Sequence, residues 1–186
     1  VRNHGPAGAL NPRYPALDEV LQQPVLKKGL FRTPVIIETL ELLRYNGNFL
    51  CRVRSKDGAE GISVGHSSLN SLYPIFVNLV QPFFIGKDAR DLDLLLEKIF
   101  IWGFNFRYNG LAIGIPLATL EFAILDMLGR IAGKSLGQLI GEIHHPTVAF
   151  YQANSERDIA GEEVLKHLQE EVAASKTKAL KFKVGG

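Results

Sequence analysis

The sequence predicts an α+β unit followed by the opening of a parallel α/β sheet. Three observations carry this. Residues 35–65 alternate apolar and polar side chains around two tight-turn signals. Residues 66–145 carry apolar residues at helical spacing. Residues 146–186 read strand, helix, strand, the order of a right-handed βαβ crossover between parallel strands.

Ahead of these, residues 1–34 form an arm. Prolines at 6, 12, 15, 24 and 34, with Gly5, Gly8 and Gly29 between them, exclude a long helix or a central strand. One helical candidate remains, Ala16–Gln23. Leu10, Tyr14, Leu17, Leu21, Leu26, Leu30 and Phe31 are too many apolar groups for a wholly solvated tail. Much of 10–34 is therefore expected to pack on the domain that follows or across a subunit contact.

The stretch 35–145 reads as one α+β domain. "VIIETLELLRY" is a first strand, and Asn46-Gly47 the turn after it, since both central positions of a type I′ turn need positive φ. "NFLCRVRS" returns, with Phe49, Cys51 and Val53 alternating against Leu50, Arg52 and Arg54. Asp57-Gly58 is a second turn and "AEGISVGH" a third strand, which completes an antiparallel meander. In the helical part, Pro74 and Pro82 are expected to break "SLNSLYPIFVNLVQPFFIG" into short helices. Leu92, Leu95, Leu96 and Ile99 mark a further helix. Pro116 suits a first helical turn and Gly133 a helix stop. Between them Leu117, Phe122, Leu125, Met127 and Ile131 occupy nearly every face, which predicts a helix buried all round. Asp126 and Arg130, four apart on it, are expected to form a structural pair.

From 146 a new domain opens. "TVAFYQA" and "ALKFKV" are strands, and the helix between them carries Val164, Leu165, Leu168 and Val172 on one side. A βαβ unit alone cannot cover both sheet faces, so this is the start of a barrel or of a doubly wound sheet. Alternation puts Ala179, Lys181 and Lys183 on one face of the last strand and Leu180, Phe182 and Val184 on the other. The apolar face is the seat of the crossover helix. In an open sheet the lysine face meets water, and the lysines protect an edge. In a closed barrel it is the interior, where each lysine raises the cost of protonating the other and so favours a neutral, basic amine at one of them.

The totals exclude several classes. Net charge is +2, from 21 basic and 19 acidic residues, and no basic run is long enough for a nucleic-acid patch. Cys51 is the single cysteine, which excludes an internal disulfide framework and a zinc ribbon. No apolar run approaches the ~20 residues of a membrane span, so no membrane partner is expected. His144-His145 has no further metal ligands nearby in sequence.

Three stretches resemble the enolase superfamily, in its mandelate racemase/muconate lactonizing enzyme branch: "SKDGAEGISVGH", "IPLATLEFAILDMLGRIAGKSLGQLIG" and "LKFKVGG". The resemblance covers about 35–186. It implies an α+β capping domain followed by the first βαβ of a modified (β/α) TIM-type barrel, truncated after two barrel strands because a full barrel takes about 250 residues. The domains are then 1–34, 35–145 and 146–186.

The activity implied is abstraction of the proton alpha to a carboxylate, through an enediolate, with Mg2+ held by acidic residues beyond 186. Racemase, cycloisomerase and acid-sugar dehydratase chemistry share that first step. Lys183 matches the family's base and Lys181 its cationic neighbour. Tyr151, two residues from the end of the first barrel strand, is a candidate substrate contact if it rather than Phe150 faces inward. His66 stands where the family usually has Glu or a small residue, and is either a substrate contact or a surface-loop histidine. The Asn46-Gly47 turn is too short for the family's specificity loop, so the arm or a neighbouring subunit would have to keep the site dry. The partners implied are a small carboxylate and further copies of the chain, in the cytoplasm, or in the periplasm if an export signal precedes Val1. The competing reading is a binding or assembly module with both lysines solvated and no catalysis.

Overall fold

The structure is a computed structural model that describes residues 14–153, 161–175 and 177–181. The chain divides into two units, Val1–Glu142 and Ile143–Gly186.

In the first unit, α1 (Pro15–Leu21) precedes a strap that joins the core. Leu17, Val20 and Leu21 on α1 stay more than half exposed, whereas Leu26 and Phe31 are buried. The strap is held by polar contacts to distant residues. The N–H groups of Val25 and Leu26 donate to Asp93 Oδ2 at 2.9 and 3.1 Å. Lys27 N–H donates to Leu139 O at 2.8 Å, and Lys28 pairs with Asp91.

β1 (Ile37–Tyr45), β2 (Asn48–Ser55) and β3 (Glu60–Val64) form the antiparallel sheet, in the order β1-β2-β3. Asn46 and Gly47 have φ of 48° and 77°, the two positive values that the two-residue turn demands. Register pairs Leu40 with Val53 and Cys51 with both Leu42 and Ser63, which stacks one apolar face toward the helices. The other face carries charged pairs, Arg52 to Glu41 at 2.7 Å and Arg54 to Glu60 at 2.9 Å.

The helices α2 (Leu69–Ile75), α3 (Gln81–Phe84) and α4 (Leu92–Lys98) follow. The expected breaks at Pro74 and Pro82 are not there. Pro74 lies inside α2 and Pro82 in the first turn of α3, and one widened turn, Phe76–Val80, joins the two helices. There Gln81 N–H bonds to Phe76 O, five residues back rather than four. A wide turn makes room where proline supplies no donor. Beside α4, Asp88 and Arg90 pair at 2.8 Å with both side chains mostly buried. Burial works to raise the Asp88 carboxyl, but the Arg90 guanidinium and the N–H groups of Arg90 and Val35 outweigh it, so Asp88 titrates below its ordinary range.

The long helix α5 (Leu111–Ala132) crosses beneath the sheet, and α6 (Leu136–Ile140) closes the unit behind a Ser135–Gln138 capping box. Gly133 ends α5 in the left-handed conformation, as the sequence implies. Pro116 departs from expectation: the helix starts at Leu111, after Gly110 at φ 60°, so the proline sits in its sixth position. The helix is also not buried all round, because Phe122 is 56% and Ile131 42% exposed. An 18-residue stretch of this 22-residue helix has a mean hydropathy of 1.8, long and apolar enough to match a membrane span by composition, contrary to the sequence reading. More than half of that stretch is buried, against the sheet and the neighbouring helices.

Contact between β3 and α5 is close. A Cβ at Gly61 would lie 2.2 Å from Ala123 O and 2.3 Å from Met127 N. Ser63 Oγ donates to Thr119 O at 2.5 Å, and Ile62 N–H to Asp126 Oδ2 at 2.9 Å.

In the second unit, β4 (Gln152–Ala153) pairs in parallel with β5 (Leu180–Lys181), with α7 (Gly161–Ser175) between them in sequence. The parallel pairing agrees with a βαβ unit, although the described strands are shorter than expected. On α7 Leu168 is buried and Val164 and Val172 half-buried, while Leu165 is 56% exposed. Leu165 is therefore not on the buried side. Positions 164, 168 and 172 recur every four residues, and Leu165 is turned about 100° from that line.

Candidate functional site

The parallel pair β4–β5 brings two of the candidate residues together. Gln152 stands opposite Leu180 and Ala153 opposite Lys181. Side chains alternate along each strand, so Tyr151, Ala153, Ala179 and Lys181 share one face. The Lys181 ammonium lies over the Tyr151 ring, 5.7 Å from its centroid. Gln152 N–H donates to Ala179 O at 3.0 Å. Thr177 Oγ1 lies 3.2 Å from both Phe150 O and Ala179 O, spanning the two strands just before they pair. A sequence reading passes over Thr177; the one signal is a hydroxyl residue in the helix-to-strand turn.

Tyr151 is 52% exposed and Phe150 71%, so neither is packed away under α7. Lys183 lies outside the described residues. Leu180, read as a seat for the crossover helix, is 41% exposed.

His66 belongs to the first unit, and its contacts are local. It is exposed, and its Nδ1 accepts from Ser68 N–H at 3.1 Å. Its carbonyl accepts from Leu69 N–H at 2.9 Å. Both contacts secure the start of α2, whose first N–H groups have no partner within the helix.

Two clefts mark the first unit. One, of about 330 Å³, is lined by Ile62, Val64, Phe122, Leu125, Asp126 and Leu136. The other, of about 260 Å³, is lined by Val25, Asp93, Leu96, Glu97 and Glu121. Loss of hydration, and then the Asp93 carboxylate, push the Glu121 carboxyl up. Among the described residues no three His, Cys, Asp or Glu side chains are grouped to hold a metal ion.

Solved structures share this architecture. A mandelate racemase/muconate lactonizing protein from Paracoccus denitrificans PD1222, complexed with magnesium, aligns with a TM-score of 0.66 at 20% identity, over 83% of this chain and 42% of that one. L-talarate/galactarate dehydratase from Salmonella typhimurium LT2 aligns with a TM-score of 0.63 at 22% identity, over 83% and 40%. The chain shares its fold with part of these mandelate racemase/muconate lactonizing-type proteins, the three-stranded sheet and its helices matching their capping domain. The 3,6-anhydro-D-galactonate cycloisomerase from Zobellia galactanivorans also matches, with a TM-score of 0.63 at 19% identity, over 80% and 43%. By sequence, a D-galactonate dehydratase family member from Paenibacillus sp. (strain JDR-2) is 27% identical over 107 residues, 56% of this chain and 26% of that protein. No family model matches. The chain thus spans about a quarter of that relative and about two fifths of these solved chains.

Proposed function

We propose that this chain is the N-terminal portion of an enzyme that removes the proton alpha to a carboxylate, with Lys183 as base and Lys181 as the neighbouring cation. The observation that carries the reading is the parallel β4–β5 pair, which follows a capping-domain fold and presents Lys181 beside Tyr151 on one face. The proteins with this architecture are racemases, cycloisomerases and acid-sugar dehydratases, which favours an enzyme over a binding or assembly module.

The chemistry suits the residues. A carbon acid beside a carboxylate is very weakly acidic, so charge developing on the carboxylate oxygens must be met by cations fixed in advance. Lys181 supplies one such cation. Lys183, two residues further along the sequence, is the base whose amine takes the proton in this reading. Magnesium belongs to this reading for the whole enzyme only, held by residues other than those described. The substrate is a small carboxylate, and the class most consistent with the relatives is an acid sugar. Tyr151 is a candidate contact for it; His66 is a weaker one, since its ring is already engaged at α2.

The test is solvent-deuterium exchange at the alpha carbon in the whole enzyme. Lys183→Ala is expected to abolish exchange. Lys183→Arg fails too, because a guanidinium does not give up its proton near neutral pH. Wild-type exchange in Lys183→Ala would sink the assignment.

A further inference from the structure

We propose that Tyr151 is a positioning residue for Lys181: its ring fixes the ammonium above the face that β4 and β5 share. The proposal rests on the enzyme reading given above for its functional meaning, but on geometry alone for the contact.

Lysine carries four rotatable side-chain bonds and gains little by holding one pose in water. At the end of β5 its side chain is exposed, and no carboxylate pairs with it among the described contacts. What constrains it is the ring of Tyr151, 5.7 Å from Nζ to centroid, within the range in which the negative ring face attracts a cation. The parallel register makes this contact systematic. Residues 151 and 153 face the same way as 179 and 181, so the ring and the lysine cannot turn to opposite faces without a slip of register. Thr177, close to the carbonyls of Phe150 and Ala179, stands against such a slip.

An aromatic ring differs from a carboxylate partner in a useful way. A carboxylate neutralises the ammonium and competes with an incoming anionic substrate. The ring leaves the positive charge intact and available on its open side. A cation that must receive a carboxylate is thereby held without being spent. The phenol hydroxyl is not needed for this, because the attraction comes from the ring face.

The test has two arms. In the isotopically labelled chain, the Lys181 Hε resonances are expected to be shifted upfield by the ring current. The shift is lost in Tyr151→Leu and kept in Tyr151→Phe. Unmoved Lys181 resonances in Tyr151→Leu would overturn the contact, whatever the enzyme does. In the whole enzyme, solvent-deuterium exchange is followed on D-galactonate, L-talarate and galactarate. Tyr151→Leu is expected to lower the rate about two- to five-fold relative to Tyr151→Phe, which keeps the ring, the span expected of one exposed cation–π contact. Equal rates in Tyr151→Leu and Tyr151→Phe would overturn the positioning role. Failure of the enzyme reading shows up separately, as wild-type exchange in Lys183→Ala with the ring-current shift still present.

Discussion

The backbone N–H of Ile62 donates to the Asp126 carboxylate at 2.9 Å, and the same oxygen accepts from Arg130 Nε at 2.9 Å. One side chain on the long helix thus caps an outward-pointing amide of the edge strand and pairs along its own helix. The sequence suggests only the second contact, because four-residue spacing is visible in a string and a helix-to-sheet contact across 64 residues is not.

Asp126→Ala removes the acceptor for both donors. Stability is expected to fall by about 1–2 kcal/mol, since a hydrogen bond to a charged group is worth more than a neutral one and water replaces part of it here. Asp126→Asn should recover most of the loss, because an amide oxygen still faces Ile62. Urea unfolding of the two variants checks this, and equal losses would show that charge rather than acceptance matters.

Gly61→Ala is expected to cost about 3 kcal/mol or to prevent folding. The added methyl would meet Ala123 O and Met127 N at 2.2 and 2.3 Å, both backbone atoms that no rotamer change can move aside. Gly29→Ala, where a methyl meets nothing within 4 Å, is the control. Similar unfolding midpoints for the two variants would contradict the close β3–α5 packing.

Cys51 is wholly buried, and loss of hydration pushes its thiol up to about 12 from an ordinary 9.0. Because the folded value is the higher one, its contribution to stability is complete below about 9 and is lost as pH rises toward 12. Cys51→Val should flatten that part of the pH–stability curve. Thiol labelling of the native protein at pH 8 should run no faster than the protein opens; rapid labelling without unfolding would show that the thiol is reachable.

Glu121 carries a raised carboxyl, through loss of hydration and then through Asp93. The protonated form is thus the one the fold favours, so the stability it brings is present at acid pH and is lost as pH rises above about 4.5 through the folded value. Glu121→Gln is expected to raise the melting temperature at pH 7 and leave it unchanged near pH 4. The same gain at both pH values would rule out titration as its cause.

The meander was the most legible part of the fold. Asn46-Gly47 can be read from the string because only a few residue pairs tolerate two positive φ values in succession. Gly133 was readable on the same ground. Proline was a poorer guide. Pro74, Pro82 and Pro116 all lie within helical segments, and a widened turn separates the first two. Phe122 and Leu165 show the limit of composition: apolar side chains on a helix identify what can be buried, not which of them meets a partner. At the candidate site, alternation set Lys181 and Lys183 on one face of the last strand but left open whether Tyr151 or Phe150 shares it. The ring-to-ammonium contact depends on parallel register, which no single strand contains.

The strap has a consequence for the order of events during synthesis. Lys27 N–H meets Leu139 O, and Lys27 Nζ meets Gly141 O across 114 positions of chain. On the ribosome residues 25–31 emerge first, yet their last partners are made more than a hundred residues later. Until then Leu26 and Phe31 have an incomplete berth, and the nascent chain carries an apolar hook for chaperones or for a neighbouring nascent chain. Closing so long a loop is slow compared with forming the hairpin of β1 and β2. In a refolding pulse-labelling experiment the Lys27 amide is therefore expected to gain protection after the amides of β2, and the strap to be the last piece of the first unit to lock.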